Sequence, residues 1–131
     1  MTTSSDYPRQ NADQTAYAGG WEGFRTKLAP AGKALVYRTY LGGTDNDVVY
    51  GVALDRSTRA SVTGMTRSGN FPRRLPLDDT LGGSQDAFVA RFAANGVRDW
   101  STFLGGSSDE WGSAIAVAPS GDVTVVGTRA A

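Results

Sequence analysis

Two short acidic stretches contain the side chains of this sequence best suited to bind a ligand. Each follows a Gly-Gly pair, and together they supply the candidate ligand-binding residues Asp45, Asn46, Asp47, Asp109 and Glu110. Carboxylate and amide oxygens are the ligands that Ca²⁺ prefers, which makes Asp45, Asp47 and Asp109 weak calcium candidates. The acidic residues are contiguous, however, whereas an EF-hand loop alternates them with other residues. The competing interpretation is that they accept hydrogen bonds from their own backbone and shape the turn.

Three tryptophans could stack on sugar rings. Trp111 directly follows the second acidic stretch, so it joins that stretch as a candidate ligand-binding residue. We expect Trp100 to pack in the core, because it lies in a strand-like segment, and Trp21 to pack locally at a strand boundary. Trp111 and the acidic stretches together give a weak carbohydrate-binding hypothesis.

The residue types argue against an enzyme. The chain contains no His and no Cys, which removes the usual general base, the commonest metal ligand and any thiol nucleophile. Pairs of carboxylates can hydrolyse glycosides, but the two glutamates, Glu22 and Glu110, lie in no recognisable motif. The Gly-Gly pairs lack the following Lys and helix of a phosphate-binding loop. We therefore expect no catalytic residues and no cofactor.

The charge balance limits the classes of partner. Among 131 residues, 13 Lys+Arg balance 13 Asp+Glu, so the formal net charge is zero. This argues against binding nucleic acid or a membrane by bulk electrostatics. Arg67, Arg73 and Arg74 cluster in the segment 65–85, where we expect them to be solvated. The N-terminus shows no signal peptide, and no apolar run approaches the roughly 18 residues that would span a bilayer.

An internal repeat positions all of these side chains. Residues 37–43 (YRTYLGG) return as 100–106 (WSTFLGG) at an offset of 63, and Val52-Ala53-Leu54 returns as Ile115-Ala116-Val117. Other matches, such as Tyr7-Pro8 with Phe71-Pro72, have an offset of 64. One-residue slips of this kind are tolerated in loops.

Each repeat predicts four short strands, because segments of alternating residues are separated by turn signals. In the strand near residue 50, Gly51 and Ala53 lie on one face, and Val52 and Leu54 lie on the other. Small residues on one face allow the large residues of a neighbouring sheet to approach closely. A tandem four-stranded unit of this length indicates an all-β fold of β-propeller blades. The alternative is an antiparallel sandwich built from a duplicated unit.

The repeat resembles a known family. The pattern in residues 37–43 and 100–106, the acidic stretch, and the segment Asp86-Ala87-Phe88-Val89-Ala90-Arg91 are similar to the SBBP repeat, a seven-bladed β-propeller repeat, over about two copies. Residues 21–28 depart from the pattern, and the turn at 56–59 lacks the glycine that Gly121 retains. The resemblance implies a propeller in a bacterial surface or secreted protein, hence an extracellular or cell-surface location. It implies no single activity.

Similarity to other propellers predicts how the blades divide this single propeller segment, 1–131. We expect residues 1–20 to form the inter-strand loop of a preceding blade and 21–48 to form an outer half-blade. Residues 49–104 then form a complete blade, and 105–131 an inner half-blade. The chain thus holds about two blades.

Half-blades expose unpaired strand edges, which readily pair with other strands. Three explanations stay open. Several copies could assemble head to tail into a ring, so that three or four chains give about six or eight blades. The chain could be part of a longer propeller, or its two halves could pair with each other in a non-propeller double sheet.

The predicted function is a non-enzymatic scaffold or interaction module. Its expected partners are other copies of itself or other propeller blades, and in addition a protein or a glycan. The alternative is a lectin-like propeller with repeated loop sites.

Overall fold

The computed structural model describes residues 1–6 and 10–131, and every regular element in them is a β-strand. The strands are β1 (Gly23–Leu28), β2 (Leu35–Leu41), β3 (Asp47–Leu54), β4 (Ala60–Thr66), β5 (Asp86–Phe92), β6 (Arg98–Leu104), β7 (Glu110–Val117) and β8 (Val123–Arg129). The predicted all-β class is confirmed. No helix suited to crossing a membrane occurs in the described ranges. The repeat match at Tyr7-Pro8 lies outside them.

The strands form three antiparallel sheets. β3, β4, β5 and β6 pair in chain order as a four-stranded sheet, and the pairs β1–β2 and β7–β8 form two-stranded sheets beside it. This is one complete propeller blade between two half-blades. Because β1–β2 and β7–β8 are separate sheets, the explanation in which the two halves pair within the chain is wrong.

The first strand of each blade begins earlier than its pattern suggested. We expected the complete blade to start at residue 49, but β3 begins at Asp47, and the equivalent strand β7 begins at Glu110. A β-bulge between Val49 and Gly51 inserts an extra residue into β3, and an equivalent bulge interrupts β7. A bulge shifts the alternation of faces, which hides the start of the strand in the sequence. Asp47, Glu110 and Trp111 therefore lie in strands rather than loops.

The turns at the ends of the hairpins explain a departure in the sequence. Gly96 and Gly121 both have a φ of 93°, in the left-handed region where glycine carries no steric penalty. At the turn between β3 and β4 the equivalent residue is Thr58, which adopts a φ of 59°. The chain therefore keeps the same turn there at a conformational cost.

The register defines two faces of the complete blade, since directly paired residues of an antiparallel sheet share a face. Face A carries Ala60, Val62, Ala90, Phe92 and Arg98, and face B carries Gly51, Ala53, Val89, Trp100 and Thr102. The half-blade β1–β2 packs on face A, where the Arg25 guanidinium lies over the Phe92 ring.

The half-blade β7–β8 packs on face B. There Ile115 Cγ2 lies 3.6 Å from the position that a Cβ on Gly51 would occupy. This close approach is the one that the alternation of small and large residues predicted.

The hydrophobic core lies on face A. Its fully buried aromatic residues are Phe71, Phe88, Phe92 and Phe103. The Phe71 ring lies 4.5 Å from that of Phe88, centroid to centroid, so the strandless segment between β4 and β5 closes over the blade. In that segment Arg73 forms an ion pair with Asp79 at 2.9 Å, while Arg67 and Arg74 are exposed.

Candidate functional site

A carboxylate closes every Gly-Gly turn in the described chain. Each accepts a hydrogen bond from the backbone N–H four residues earlier, and the pairs are Glu22 with Ala18, Asp47 with Gly43, Asp86 with Gly82, and Glu110 with Gly106. The geometry recurs once per half-repeat. It is the turn-shaping arrangement that we weighed against calcium binding.

Asp47 illustrates how far this capping is buried. Its side chain is inaccessible to solvent, and its Oδ2 accepts hydrogen bonds from the Gly43 N–H at 2.7 Å and the Ser68 hydroxyl at 2.9 Å. Burial raises the pKa of Asp47, although the hydrogen bonds from Thr66, Gly43 and Ser68 oppose that rise. The carboxylate therefore serves the turn and is not open to a ligand.

The other candidate carboxylates also have local partners. Asp45 Oδ1 accepts from the Asn46 N–H at 2.7 Å, and Asn46 Oδ1 accepts from the Trp21 N–H at 2.9 Å. Asp109 Oδ1 accepts from the Ser84 hydroxyl at 2.6 Å, which lowers the pKa of Asp109. Among the described residues, no three acidic side chains gather closely enough to hold a metal ion.

Glu110 and Trp111 lie next to each other at the start of β7. Glu110 Oε1 also lies 3.5 Å from the Arg129 Nε, at the far end of β8. Trp111 is half-buried and lines a cavity of about 530 Å³ together with Tyr50, Met65, Gln85 and Ser113. This cavity joins two aromatic rings to an amide and a hydroxyl, which is a combination suited to a sugar. Trp21, by contrast, is exposed and lies outside the cavity.

Two strand edges form a further feature of the structure. Within residues 1–6 and 10–131, no strand pairs with the outer edge of β8. On the outer side of β1, a short bridge joins Thr2 to Glu22, the residue just before the strand, through N–H···O distances of 2.6 and 3.0 Å. Apart from this bridge, β2 is the only named strand of the described residues that pairs with β1.

An apolar groove lies on face B beside β8. It has a volume of about 480 Å³ and is lined by Leu75, Leu77, Val89, Trp100, Thr102, Leu104, Val123 and Val125. We expected Trp100 to be packed in the core, but it is only half-buried, with the Arg91 guanidinium 5.5 Å from the centroid of its ring. Sequence reasoning missed the two leucines, whose exposed fractions are 80% for Leu75 and 87% for Leu77. Apolar residues in a strandless segment were the available signal.

The sequence of one segment matches a known repeat. Residues 36–72, which run from β2 through β4 to the cap at Phe71, match the sequence model of the SBBP family, described as a beta-propeller repeat. No curated protein matches the chain.

Proposed function

We propose that this chain, which carries the SBBP beta-propeller repeat, is a non-enzymatic scaffold that assembles by completing its half-blades with strands of the same kind. A location on the bacterial surface or outside the cell is part of the proposal and rests on the family resemblance. The partners are other copies of the chain, and the assembly can present loops to a protein.

The outer edges of β8 and β1, with which no further strand of the described residues pairs, carry this proposal. In the complete blade β4 pairs with β5, from Ala60 opposite Phe92 to Thr66 opposite Asp86. The repeat makes β8 the equivalent of β4, and β1 the equivalent of β5. A β8 edge on one copy therefore fits a β1 edge on the next, and the matching pattern of the two edges favours such pairing.

The same register places Arg129 of one copy opposite Glu22 of the next. Arg129 is mostly exposed, with 68% of its side chain accessible, and Glu22 is buried. A cation beside a buried carboxylate whose pKa is raised by burial would stabilise its charged form. The Thr2 bridge occupies this place within the chain, so it must yield when the strands pair.

The solution mass tests the proposal. Light scattering coupled to size exclusion should give a mass that is a whole multiple of the 13.8 kDa chain and falls on dilution. A protein that stays at 13.8 kDa over a wide range of concentration contradicts assembly.

A pair of variants isolates the strand edge. The proposed register sets Val126 opposite Arg25 of the next copy, and Val126 is exposed. Like charges directly opposite each other destabilise a strand pair, and unlike charges stabilise it. Val126→Lys should therefore reduce the assembled fraction, while Val126→Asp, the matched control, should retain it. Equal loss in both variants would contradict the register that sets Val126 opposite Arg25, and no loss in either would place the edge contact elsewhere.

A lectin-like function is the second candidate, and the cavity beside Trp111 favours it. Tyr50 and Trp111 offer aromatic faces, and Gln85 and Ser113 offer hydrogen-bonding groups beside them. The chain should then bind a subset of sugars on a glycan array, and Trp111→Ala should abolish that binding while Trp21→Ala preserves it. An array without signal, measured with and without calcium, would exclude this candidate.

A further inference from the structure

We propose that the apolar groove on face B is the docking site for the β1–β2 half-blade of a second copy, with Leu28 and Leu35 of that copy as its anchors. The inference rests on the proposed assembly and adds the side chains that would make it specific. The contact between β1–β2 and face A within the chain supplies the template, because each propeller interface repeats the one before it.

Inside the chain this interface is charged. The Arg25 guanidinium lies 3.2 Å from the centroid of the Phe92 ring, and Arg25 Nη2 donates to the Gly96 carbonyl at 2.7 Å. At its outer end, Asp13 and Arg98 form an ion pair in which both side chains are largely buried. Two cations thus cross from one blade to the next, each with a partner.

The residues that line the groove are the repeat equivalents of the residues that β1–β2 and the segment before it present to face A. Strand pairing and the repeat offset make Val89 the equivalent of Arg25 and Trp100 the equivalent of Tyr37. Leu77 is the equivalent of Asp13. The hydrogen bonds beside them fix this last match, since Gln14 N–H donates to the Thr39 hydroxyl just as Asp78 N–H donates to that of Thr102.

The face of β1–β2 that points away from the complete blade carries the equivalents of the face A residues. Leu28 pairs with Leu35 as Phe92 pairs with Arg98, so Leu28 replaces the ring and Leu35 replaces the cation. Leu28 is 54% exposed, whereas Phe92 is 1% exposed.

The glycine of the turn that follows shows the same difference. A Cβ on Gly96 would lie 2.9 Å from the Tyr37 ring, but nothing lies within 4 Å of the equivalent position on Gly32. The space above Gly32 is where docking would bring the Trp100 ring of the other copy.

Both sides have therefore changed together. Asp13 with Arg98 becomes Leu77 with Leu35, and Arg25 with Phe92 becomes Val89 with Leu28. Replacing Asp13 or Arg98 alone by leucine would leave a charge facing that leucine, which costs free energy on burial. The matched replacement favours a second copy over an unrelated apolar peptide, since this chain offers both leucines at the repeat spacing. β8 continues the groove through Val123, which lies opposite Leu28 in the proposed strand register.

The test introduces into the groove contact a charged pair equivalent to Asp13 with Arg98, by replacing Leu77 and Leu35. Leu77→Asp should raise the dissociation constant of the assembly at least about tenfold, because it buries a carboxylate against Leu35. Leu77→Asp combined with Leu35→Arg should restore most of that loss, since every interface then holds the equivalent of Asp13 with Arg98. Val97→Asp places the same charge on an exposed residue outside the groove and should change the constant less than about twofold.

The dissociation constants of the wild type and the variants distinguish a failure of the groove contact from a failure of the assembly itself. A wild-type chain that stays monomeric overturns both. A wild-type assembly that responds to Val126→Lys, but keeps its dissociation constant in Leu77→Asp, overturns the groove alone. Equal weakening in the single and double variants also overturns it, provided that circular dichroism shows all variants folded. Leu77 is 87% exposed, so its replacement leaves the packing of the chain intact.

Discussion

The two sides of the complete blade solve the same packing problem with opposite chemistry. On face A, the contact with β1–β2 joins Arg25 to Phe92 and Asp13 to Arg98. On face B, the equivalent positions form an apolar groove that no described residue covers. Blade geometry is common to both sides, so the geometry does not dictate the chemistry of the contact.

The difference follows from whether the contact can open. A largely buried ion pair is tolerable only while both partners stay together, because separating them leaves a desolvated charge. The contact on face A lies within one chain and never needs to separate. A groove lined by leucine and valine can stand open at the cost of exposed apolar area and then gain free energy when it is covered. Charged contacts therefore suit the interface within the chain, and apolar contacts suit the interface of the proposed assembly.

The largest expected effect comes from the ring at the centre of face A. Phe92→Ala should lower the free energy of unfolding by about 3–5 kcal/mol, because it removes a fully buried ring and leaves a cavity. The equivalent change on the open side, Leu28→Ala, should cost less than about 1 kcal/mol in the dilute chain, since Leu28 is half exposed. Urea denaturation measures both, and similar costs would remove the contrast between the two sides.

The next largest loss in the free energy of unfolding is expected from breaking the ion pair on face A. Asp13→Leu alone should cost about 2 kcal/mol, because it leaves the buried Arg98 without its carboxylate. Adding Arg98→Leu reproduces the leucine pair of the proposed groove contact and should recover most of the loss. Denaturation of the two variants checks this, and a double variant less stable than Asp13→Leu would show that the charges themselves are required.

The sequence predicts the blades well because the residues that determine each strand and turn lie within that strand or turn. Repeated turn glycines and the alternation in segments such as Gly51 to Leu54 specify strands and sheet order directly. The starts of β3 and β7 were missed because a bulge breaks the alternation there. The incomplete burial of Trp100 was missed for a different reason. Its own segment matches that of buried Tyr37, and only the neighbouring blade decides whether such a ring is covered.

The candidate site was predicted less completely. Carboxylates after a Gly-Gly pair indicated a turn or a ligand, and the hydrogen bonds to Asp47 and Glu110 depend on backbone positions that a pattern of residues does not reveal. The groove depends on Leu77 meeting a strand face distant in sequence. That contact could have been suspected only by comparing the two repeats position by position.

Replacing the two equivalent turn glycines, Gly96 and Gly32, should lower the free energy of unfolding by smaller amounts. Gly96 and Gly32 both have positive φ values, 93° and 70°, so alanine is strained at either position. At Gly96 the added methyl group also meets the Tyr37 ring, whereas at Gly32 it meets open space. Gly96→Ala should therefore cost about 2 kcal/mol and Gly32→Ala about 1 kcal/mol in thermal or urea denaturation. Equal losses of stability would show that the Tyr37 ring moves aside at little cost when Gly96 gains a methyl group.

The smallest effect is a dependence of stability on pH at the inner end of the covered interface. Burial raises the pKa of both Asp47 and Glu22, and the negative charge of Asp47 raises that of Glu22 further. The folded chain therefore binds protons at a pH where the unfolded chain, with ordinary values of 3.8 and 4.5, does not. Lowering the pH through that window must increase the free energy of unfolding contributed by these groups.

Asp47→Asn removes the charge of Asp47 at every pH, so it should remove the Asp47 part of this contribution and the rise in the pKa of Glu22 that Asp47 causes. The stability of the wild-type chain relative to Asp47→Asn should rise as the pH falls from neutral toward acid, measured by urea denaturation at constant ionic strength. Asp45→Asn, in the same turn but exposed, controls for the loss of one negative charge. A relative stability that instead falls toward acid would mean that the hydrogen bonds from Gly43 and Ser68 outweigh burial, and that the buried carboxylate is held charged for the sake of the turn.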